Sequence, residues 1–238
     1  MVHTGFRPRG EWLGRCQFLM ASKQSVQPGA GSALWASTGA FTVCFAVWTI
    51  FSIVGIAAKE DFNLSETEFG LLVGTPILTG SLSRIFLGIW ADQYGGRKVF
   101  AAVMVLAAIA TFLLSYADSY PMMLLAALGV GLAGGGFAVG VAYVSKFYPQ
   151  ERQGTALGIF GAGNVGSAAT KFLAPFVMVA LGWEAVAQIW AAGLLLTSVL
   201  FLALTKDDPE RQKPASERKR APPMREQLKV LGSLQVWR

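Results

Sequence analysis

Six long apolar runs separated by short polar breaks constrain the fold of this chain more than any other feature. The runs cover residues 34–58, 69–91, 98–117, 121–145, 154–180 and 184–205. Each is close to the roughly 20 apolar residues that a helix needs to cross a bilayer. Because a backbone in lipid must satisfy its own hydrogen bonds, the runs predict an all-α membrane protein with six transmembrane helices. Ser65 followed by Glu68 predicts a capping box that opens the second helix, and Pro121 suits the first turn of the fourth.

The composition excludes several other classes of protein. Apolar residues make up 53% of the 238 residues, which is high for a soluble domain. The net charge of +6 comes from basic residues at the ends of the runs, without interleaved aromatic residues, so no nucleic-acid partner is expected. Cys16, Cys44 and His3 form no metal-ligand pattern, and no nucleotide loop or Ser/His/Asp set is present. We therefore expect no metal, no cofactor and no enzymatic activity.

The distribution of Lys and Arg predicts the orientation of the chain. Both tails are basic, the second connection contains Arg97 and Lys98, and the fourth contains Lys146 and Arg152. The alternate connections offer only Lys59. By the positive-inside rule, both termini are expected to be cytoplasmic, in a multi-pass protein of the cytoplasmic (inner) membrane.

The same pattern divides the chain into three parts. Residues 1–33 are predicted to be a cytoplasmic tail, and residues 34–205 a six-helix transmembrane domain. Residues 206–238 are charged and contain prolines, as is typical of a cytoplasmic connector. Residues 228–238 turn apolar again, like the approach to a further helix. We therefore expect a chain that is truncated before a seventh helix, or half of a larger protein.

A short internal repeat accompanies this division. The sequence GSLSRIFL, which begins at Gly80, resembles GSAATKFL, which begins at Gly166, with a slip of one residue. The second and fifth helices run in opposite directions, as inverted three-helix repeats require. A match this short also arises by chance, so the repeat is one of two interpretations at this point.

Arg84 and Lys171 are the two cations well inside the apolar runs. A charge there costs several kcal/mol, so both are candidates for function. Gly80 and Gly88 lie one turn on either side of Arg84 and leave room for its guanidinium to reach across a cavity. The guanidinium offers two parallel donors and keeps its proton, which suits a planar oxyanion such as carboxylate, nitrate or nitrite. The alternative is snorkelling toward the membrane surface.

The fifth run contains a glycine-rich stretch, Gly154–Pro175, with two predicted faces. Small residues at every fourth position predict a stripe that packs on another helix: Gly154, Gly158, Ala162 and Gly166. The other face is predicted to meet the anion, because Gly161 and Gly163 would let it approach the backbone and Asn164 could donate from its amide. For these glycines, the alternative is helix packing alone.

The remaining candidates are less specific. Lys171 could hold a charge beside the anion, lose its proton and couple transport to H⁺, or lie in a vestibule without a specific role. Phe137 could wall a substrate cavity, although aromatic residues in spanning helices more often pack. Asp92, Arg97 and Glu151 lie on cytoplasmic turns and are expected to lock helix ends or gate.

Three stretches resemble sequences of known transporters. Gly88–Lys98, GIWADQYGGRK, resembles the loop between helices two and three of the major facilitator superfamily. Gly158–Gly166, GIFGAGNVG, resembles the nitrate signature of the nitrate/nitrite porter family within that superfamily. Gly74–Arg84 is similar to the second helix of the same family.

The resemblance implies the N-terminal domain of a twelve-helix transporter, built from two inverted three-helix repeats and working by alternating access. It implies that Arg84 binds nitrate, that the signature in helix five lines the site, and that Phe137 lies near it. The family's second substrate-binding arginine belongs to a C-terminal six-helix half that this chain lacks. The position of Lys171 looks like the one that separates proton-coupled members from exchangers.

The function expected from these observations is nitrate transport, as nitrate:proton symport. The partners expected are nitrate or nitrite, protons, the lipid bilayer and the C-terminal half. The alternatives are nitrate/nitrite antiport, a porter for another small anion such as a monocarboxylate, or a truncated half-protein that does not transport.

Overall fold

The structure is a computed structural model that describes residues 25–212. Within that range the chain is helical without strands, and six helical segments are long and apolar enough to span a membrane. We number them spans 1 to 6: Ala30–Asp61, Glu66–Tyr94, Gly96–Leu114, Tyr120–Ser145, Gln150–Leu181 and Trp183–Leu204. The predicted all-α membrane architecture is confirmed. Most of the predicted N-terminal tail and of the connector, residues 1–24 and 213–238, lies outside the described residues.

Two of the spans are interrupted. Span 1 consists of helices Ala30–Trp48 and Phe51–Asp61, joined by a turn. Span 5 consists of helices Gln150–Gly161 and Gly166–Leu181, joined by the 3₁₀ segment Ala162–Val165. The sequence predicted a continuous fifth helix, and this prediction is wrong at its glycine-rich centre. A short helix, Pro209–Gln212, follows span 6.

The local signals at the helix starts behave as predicted. Ser65 Oγ accepts the backbone N–H of Glu68 at 3.3 Å, and the Glu68 carboxylate accepts the backbone N–H of Ser65 at 2.9 Å. This is a complete capping box. Pro121 lies in the first turn of span 4, where its missing N–H removes no helical hydrogen bond. The positions of both helix starts are therefore encoded locally.

The spans pack in a pattern with approximate two-fold symmetry. Spans 1 and 4 contact each other in the middle, span 2 packs along span 4, and span 5 packs along span 1. Spans 3 and 6 contact each other and pack on spans 4 and 1, respectively. Exchanging spans 1, 2 and 3 with spans 4, 5 and 6 leaves this pattern unchanged. The domain therefore consists of two inverted three-helix repeats.

Two glycines occupy equivalent places in the repeats. A Cβ added to Gly80 of span 2 would lie 2.9 Å from the Gly131 carbonyl oxygen of span 4. A Cβ added to Gly166 of span 5 would overlap the Thr42 carbonyl oxygen of span 1. Small residues at these points let the backbones approach closely. The repeats therefore align from these glycines without the slip in the sequence match, so that Arg84 corresponds to Thr170.

The connection before span 5 is tied to the start of span 1. The Tyr148 hydroxyl donates to the Ala30 carbonyl at 3.2 Å. Burial raises the pKa of Tyr148 above its ordinary value, so the hydroxyl keeps the proton that this bond requires.

Candidate functional site

Arg84 lies half-buried between spans 2 and 4, with its guanidinium against two aromatic rings. Its Nε donates to the Gly134 carbonyl at 3.2 Å. The guanidinium carbon lies 5.5 Å from the centre of the Trp48 ring and 5.8 Å from that of Phe137. At these distances the rings attract the cation. Arg84 is therefore held through one nitrogen and its ring contacts rather than directed to the membrane surface.

The remaining donors of Arg84 are free within residues 25–212. The ion pairs there join Lys59, Arg97 and Lys146 to carboxylates near the ends of spans, and none includes Arg84. Its Nη1 and Nη2 atoms make no hydrogen bond to that part of the chain. A cation inside a membrane domain ordinarily pairs with a carboxylate or a backbone carbonyl. Arg84 has a carbonyl partner for Nε alone, so its Nη1 and Nη2 donors remain available to a planar anion.

Trp48 is fixed in position beside Arg84 by glycines. Its indole N–H donates to the Pro76 carbonyl at 2.8 Å. A Cβ added to Gly80 would lie 2.8 Å from the indole nitrogen, and one added to Gly134 would lie 2.6 Å from the ring. Glycine at both positions therefore makes the space that the indole fills. No local pattern in the sequence indicates this hydrogen bond, because it joins residues 28 positions apart.

Phe137 belongs to an aromatic cluster formed by spans 1, 4 and 5. Neighbouring ring centroids in the cluster lie 4.8–5.9 Å apart, and its members are Phe41, Phe45, Trp48, Phe137 and Phe160. Phe41 and Phe160 are fully buried, whereas Phe137 is 37% exposed. Phe137 thus packs on one side and is open on the side next to Arg84. It therefore fits both interpretations of the sequence, plain packing and a cavity wall.

The glycine-rich signature of span 5 coincides with its 3₁₀ segment. A Cβ added to Gly163 would lie 2.5 Å from the Phe41 ring, so this residue faces span 1. Asn164 is exposed, and its amide donates to the Gly161 carbonyl at 2.9 Å, which leaves one amide N–H available. The position of an added Cβ on Gly161 is open space. Gly161 and Asn164 therefore lie on the open side, and Gly163 lies on the packed side.

Within residues 25–212, the predicted packing stripe is wrong for three of its four residues. An added Cβ at Gly154 or Gly158 would contact nothing within 4 Å, and Ala162 is exposed. Only Gly166 packs closely. The buried residues of span 5 are instead Ala156, Phe160, Gly163, Gly166, Thr170 and Ala174. A spacing of four drifts around a helix by about 40° per step, whereas spacings that alternate three and four stay on one face.

Lys171 and Thr170 show how span 5 differs from span 2. Lys171 is exposed and makes no ion pair within residues 25–212. Thr170 is buried, donates to the Ala46 carbonyl at 2.7 Å, and accepts the Trp190 indole N–H at 2.9 Å. The repeat position of Arg84 is therefore occupied by an internal hydrogen bond, and no contact joins Lys171 to Arg84.

The predicted gating residues fall into two groups. The Asp92 carboxylate pairs with Lys146 at 3.0 Å. Arg97 pairs with Asp207 at 3.3 Å and donates to the Leu202 carbonyl at 2.6 Å. Glu151 is exposed and pairs with no cation among the described residues. Asp92 and Arg97 thus fasten spans together at one end of the domain, and Glu151 lies apart from these contacts.

Asp208 is the member of this cluster that sequence reasoning missed. It is 2% exposed, and its carboxylate accepts the backbone N–H of Gly96 at 3.2 Å and the Lys146 ammonium at 3.1 Å. Arg211 donates to the Gln93 carbonyl in the same place. Residues 206–212, the described part of the predicted connector, therefore pack against the junction of spans 2 and 3. The signal available in the sequence was an acidic pair after span 6 that complements the basic loop.

Comparison with known proteins places the chain in a family. The sequence profile of the Major Facilitator Superfamily matches residues 36–237. A solved bacterial homologue of the human lysosomal transporter Spinster superimposes with a TM-score of 0.67 at 22% identity, over 84% of this chain and 46% of that one. The structural likeness shows the fold alone. The chain belongs to the Major Facilitator Superfamily.

Curated relatives indicate which branch of the superfamily this chain resembles. A Thermus thermophilus protein named "Probable nitrate/nitrite antiporter" is 37% identical over 92% of this chain and 51% of its own length. The "Nitrite extrusion protein" of Bacillus subtilis is 35% identical over 66% of this chain and 39% of its own length. The resemblance to the nitrate/nitrite porter family is confirmed. The chain spans about half the length of the curated relatives it matches.

Proposed function

We propose that this domain forms half of a transporter that moves nitrate and nitrite across a membrane by alternating access. The observation that carries the proposal is the guanidinium of Arg84, half-buried among the spans with no carboxylate partner within residues 25–212. Nitrate is planar and singly charged, so two of its oxygens can accept the two parallel N–H groups of the fork. The names of the curated relatives support the same substrates.

The contacts of Arg84 support a specific division of roles. Arg84 binds the anion, and Phe137 provides an apolar wall on which the planar anion can rest. The exposed amide of Asn164 and the open backbone at Gly161 supply further polar contacts to the anion from span 5. Gly163 acts through packing, because its missing Cβ lets span 5 approach Phe41 closely. The second half of the site comes from a C-terminal six-helix half.

The charge distribution supports an orientation. The basic loops and both tails lie in the cytoplasm, in an inner membrane, by the positive-inside rule. Residues 206–238 then connect the two halves, beginning with the packed segment that contains Asp208. Asp92 and Arg97 hold the cytoplasmic ends of the spans and release them as the domains rock.

The coupling proposed is nitrate:proton symport, with Lys171 as the group that tunes charge or takes part in proton transfer. Its place inside a spanning segment, without an ion pair among the described residues, supports a role for this charge in transport. Nitrate/nitrite antiport is the second candidate, and the name of the Thermus thermophilus relative favours it.

Nitrate uptake by the complete protein in proteoliposomes tests the proposal. Wild type, Arg84→Gln and the surface variant Arg152→Gln are compared, with nitrite and formate as competitors. We expect nitrite to compete, formate to compete weakly, and Arg84→Gln alone to lose uptake. A pH gradient drives uptake in a symporter, whereas internal nitrite drives it in an antiporter. Equal uptake by wild type and Arg84→Gln would contradict the role of Arg84, and stronger competition by formate would indicate a carboxylate porter.

A further inference from the structure

A groove runs between spans 2 and 3, and none of the residues that contact Arg84 lines it. Its volume is about 420 Å³, and its polar end contains Trp90, Tyr94 and Lys98. This end lies at the junction of spans 2 and 3, close in sequence to Asp92 and Arg97, on the side of the membrane assigned above to the cytoplasm. The rest of the lining is apolar and includes Ala102 and Leu106.

Three hydrogen-bond donors of this groove have no protein acceptor in the described part of the chain. The Trp90 indole N–H, the Tyr94 hydroxyl and the Lys98 ammonium make no hydrogen bond or ion pair within residues 25–212. No carboxylate is among the lining residues. Trp90, Tyr94 and Lys98 are four residues apart in turn, across the end of span 2 and the start of span 3. Three free donors at one end of an apolar groove fit an anionic head on an apolar tail.

The neighbouring charges of the loop do not neutralise Lys98. Asp92 pairs with Lys146, and Arg97 pairs with Asp207, so neither of these side chains is paired with Lys98. Lys98 also lies in the first turn of span 3, where the positive end of the helix dipole disfavours a cation. A bound anion would offset both the Lys98 ammonium and the positive end of the span 3 dipole.

The apolar part of the groove matches the length of a lipid tail. From Lys98 to Leu106 a helix rises by about 12 Å, which is most of the roughly 15 Å hydrocarbon depth of one leaflet. Ala102 is exposed and small, so it leaves a channel between its larger neighbours. Trp and Tyr beside a cation are typical of the level of lipid headgroups.

We propose that this groove binds an anionic glycerophospholipid of the inner leaflet. Its phosphate contacts Lys98, Tyr94 and Trp90, and one acyl chain lies over Ala102 toward Leu106. The proposal rests on the orientation proposed above. A second groove, about 530 Å³ between spans 3 and 6, is lined by apolar residues and Gln188 without a charged side chain, and so serves as an internal comparison.

Native mass spectrometry of the complete protein tests the site by counting bound lipids. The detergent-solubilised protein is titrated with phosphatidylglycerol and, separately, with phosphatidylcholine. For Lys98→Gln we expect about five-fold weaker binding of the first phosphatidylglycerol, which is the effect of one cation near an anionic lipid. Ala102→Trp fills the tail channel and is expected to remove the same lipid while Lys98 is intact. Arg152→Gln, an exposed arginine outside the groove, is expected to bind as wild type does.

Two results would overturn the proposal. One is phosphatidylglycerol binding by Lys98→Gln and Ala102→Trp with wild-type affinity. The other is an equal loss in Arg152→Gln and Lys98→Gln, which would indicate general attraction to the basic surface. Since the measurement requires no transport, failure here leaves the nitrate proposal standing, and failure of nitrate uptake leaves the lipid site standing.

Discussion

The segments Gly80–Arg84 in span 2 and Gly166–Thr170 in span 5 occupy equivalent places in the two repeats but end in different chemistry. Each begins with a glycine that touches the backbone of the neighbouring repeat. Four residues later, Arg84 is half-buried and donates one hydrogen bond, to the Gly134 carbonyl. Thr170 is buried and exchanges hydrogen bonds with the Ala46 carbonyl and with Trp190.

The difference between Thr170 and Arg84 shows that equivalent repeat positions can serve either stability or binding. In span 5 the polar side chain closes a hydrogen-bond network inside the domain. In span 2 the corresponding side chain has more donors than residues 25–212 satisfy, so Nη1 and Nη2 of Arg84 remain available to a ligand. The glycines serve the same packing in both segments, and the residue after the first turn decides whether the segment stabilises the domain or offers a binding group.

The largest expected effect on stability is at the glycine contact of span 5. Gly166→Ala places a Cβ on the Thr42 carbonyl and forces the helices apart, which we expect to cost about 3 kcal/mol. The matched variant Gly158→Ala has open space around the new methyl group and gains up to about 1 kcal/mol of helix propensity. Thermal unfolding in detergent measures both. Equal melting temperatures for the two variants would show that the glycine contact is not close.

The second effect is at the hydrogen bonds of Thr170. Thr170→Val leaves the partly buried Trp190 indole N–H without its acceptor, so we expect a loss of about 2 kcal/mol with nitrate uptake retained. Thr197→Val is the control, because Thr197 bonds only to the Gly193 carbonyl of its own helix. Loss of uptake by a folded Thr170→Val protein would show that Thr170 contributes to transport. It would then contradict the assignment of a purely structural role to Thr170.

A smaller effect on stability is expected at Arg84. Arg84→Ala removes one hydrogen bond and the ring contacts but breaks no ion pair within residues 25–212, so unfolding changes by about 1 kcal/mol or less. Nitrate uptake nevertheless falls at least about 30-fold, since the anion loses its charged partner. Melting temperature and uptake are measured on the same preparation. A strongly destabilised variant would identify Arg84 as a structural residue.

The smallest effect on stability is expected at Lys171. Its side chain is exposed and unpaired in the part of the chain that the structure describes, so Lys171→Gln changes unfolding by about 0.5 kcal/mol or less. We expect nitrate/nitrite exchange to continue and nitrate-driven proton uptake to fall, as recorded by a pH-sensitive dye inside proteoliposomes. Unchanged proton uptake would exclude Lys171 from the coupling.

The sequence was sufficient for features that depend on one helix. The lengths of the spans, the capping box at Ser65 and the cation Arg84 inside the membrane domain all follow from local composition and spacing. The pattern of inverted repeats was visible in two short segments, although the slip paired Arg84 with Lys171.

Features that depend on neighbouring helices were not predictable. Gly154 and Gly166 look alike in sequence, but only Gly166 meets another backbone, because the facing helix decides which side is packed. The 3₁₀ break at Ala162–Val165 and the buried position of Asp208 likewise arise from tertiary contacts. Charge complementarity between Asp208 and the basic loop was present in the sequence, but its geometry was not.

The affinity of the complete protein for nitrate, measured by calorimetry on wild type and Arg84→Lys, tests the central claim most directly. Lysine keeps the charge and loses the two-pronged fork. We predict at least about tenfold weaker binding for Arg84→Lys, the effect of one charge-assisted hydrogen bond, with Arg152→Lys unchanged. Equal affinity for wild type and Arg84→Lys would contradict a bidentate contact between Arg84 and the anion.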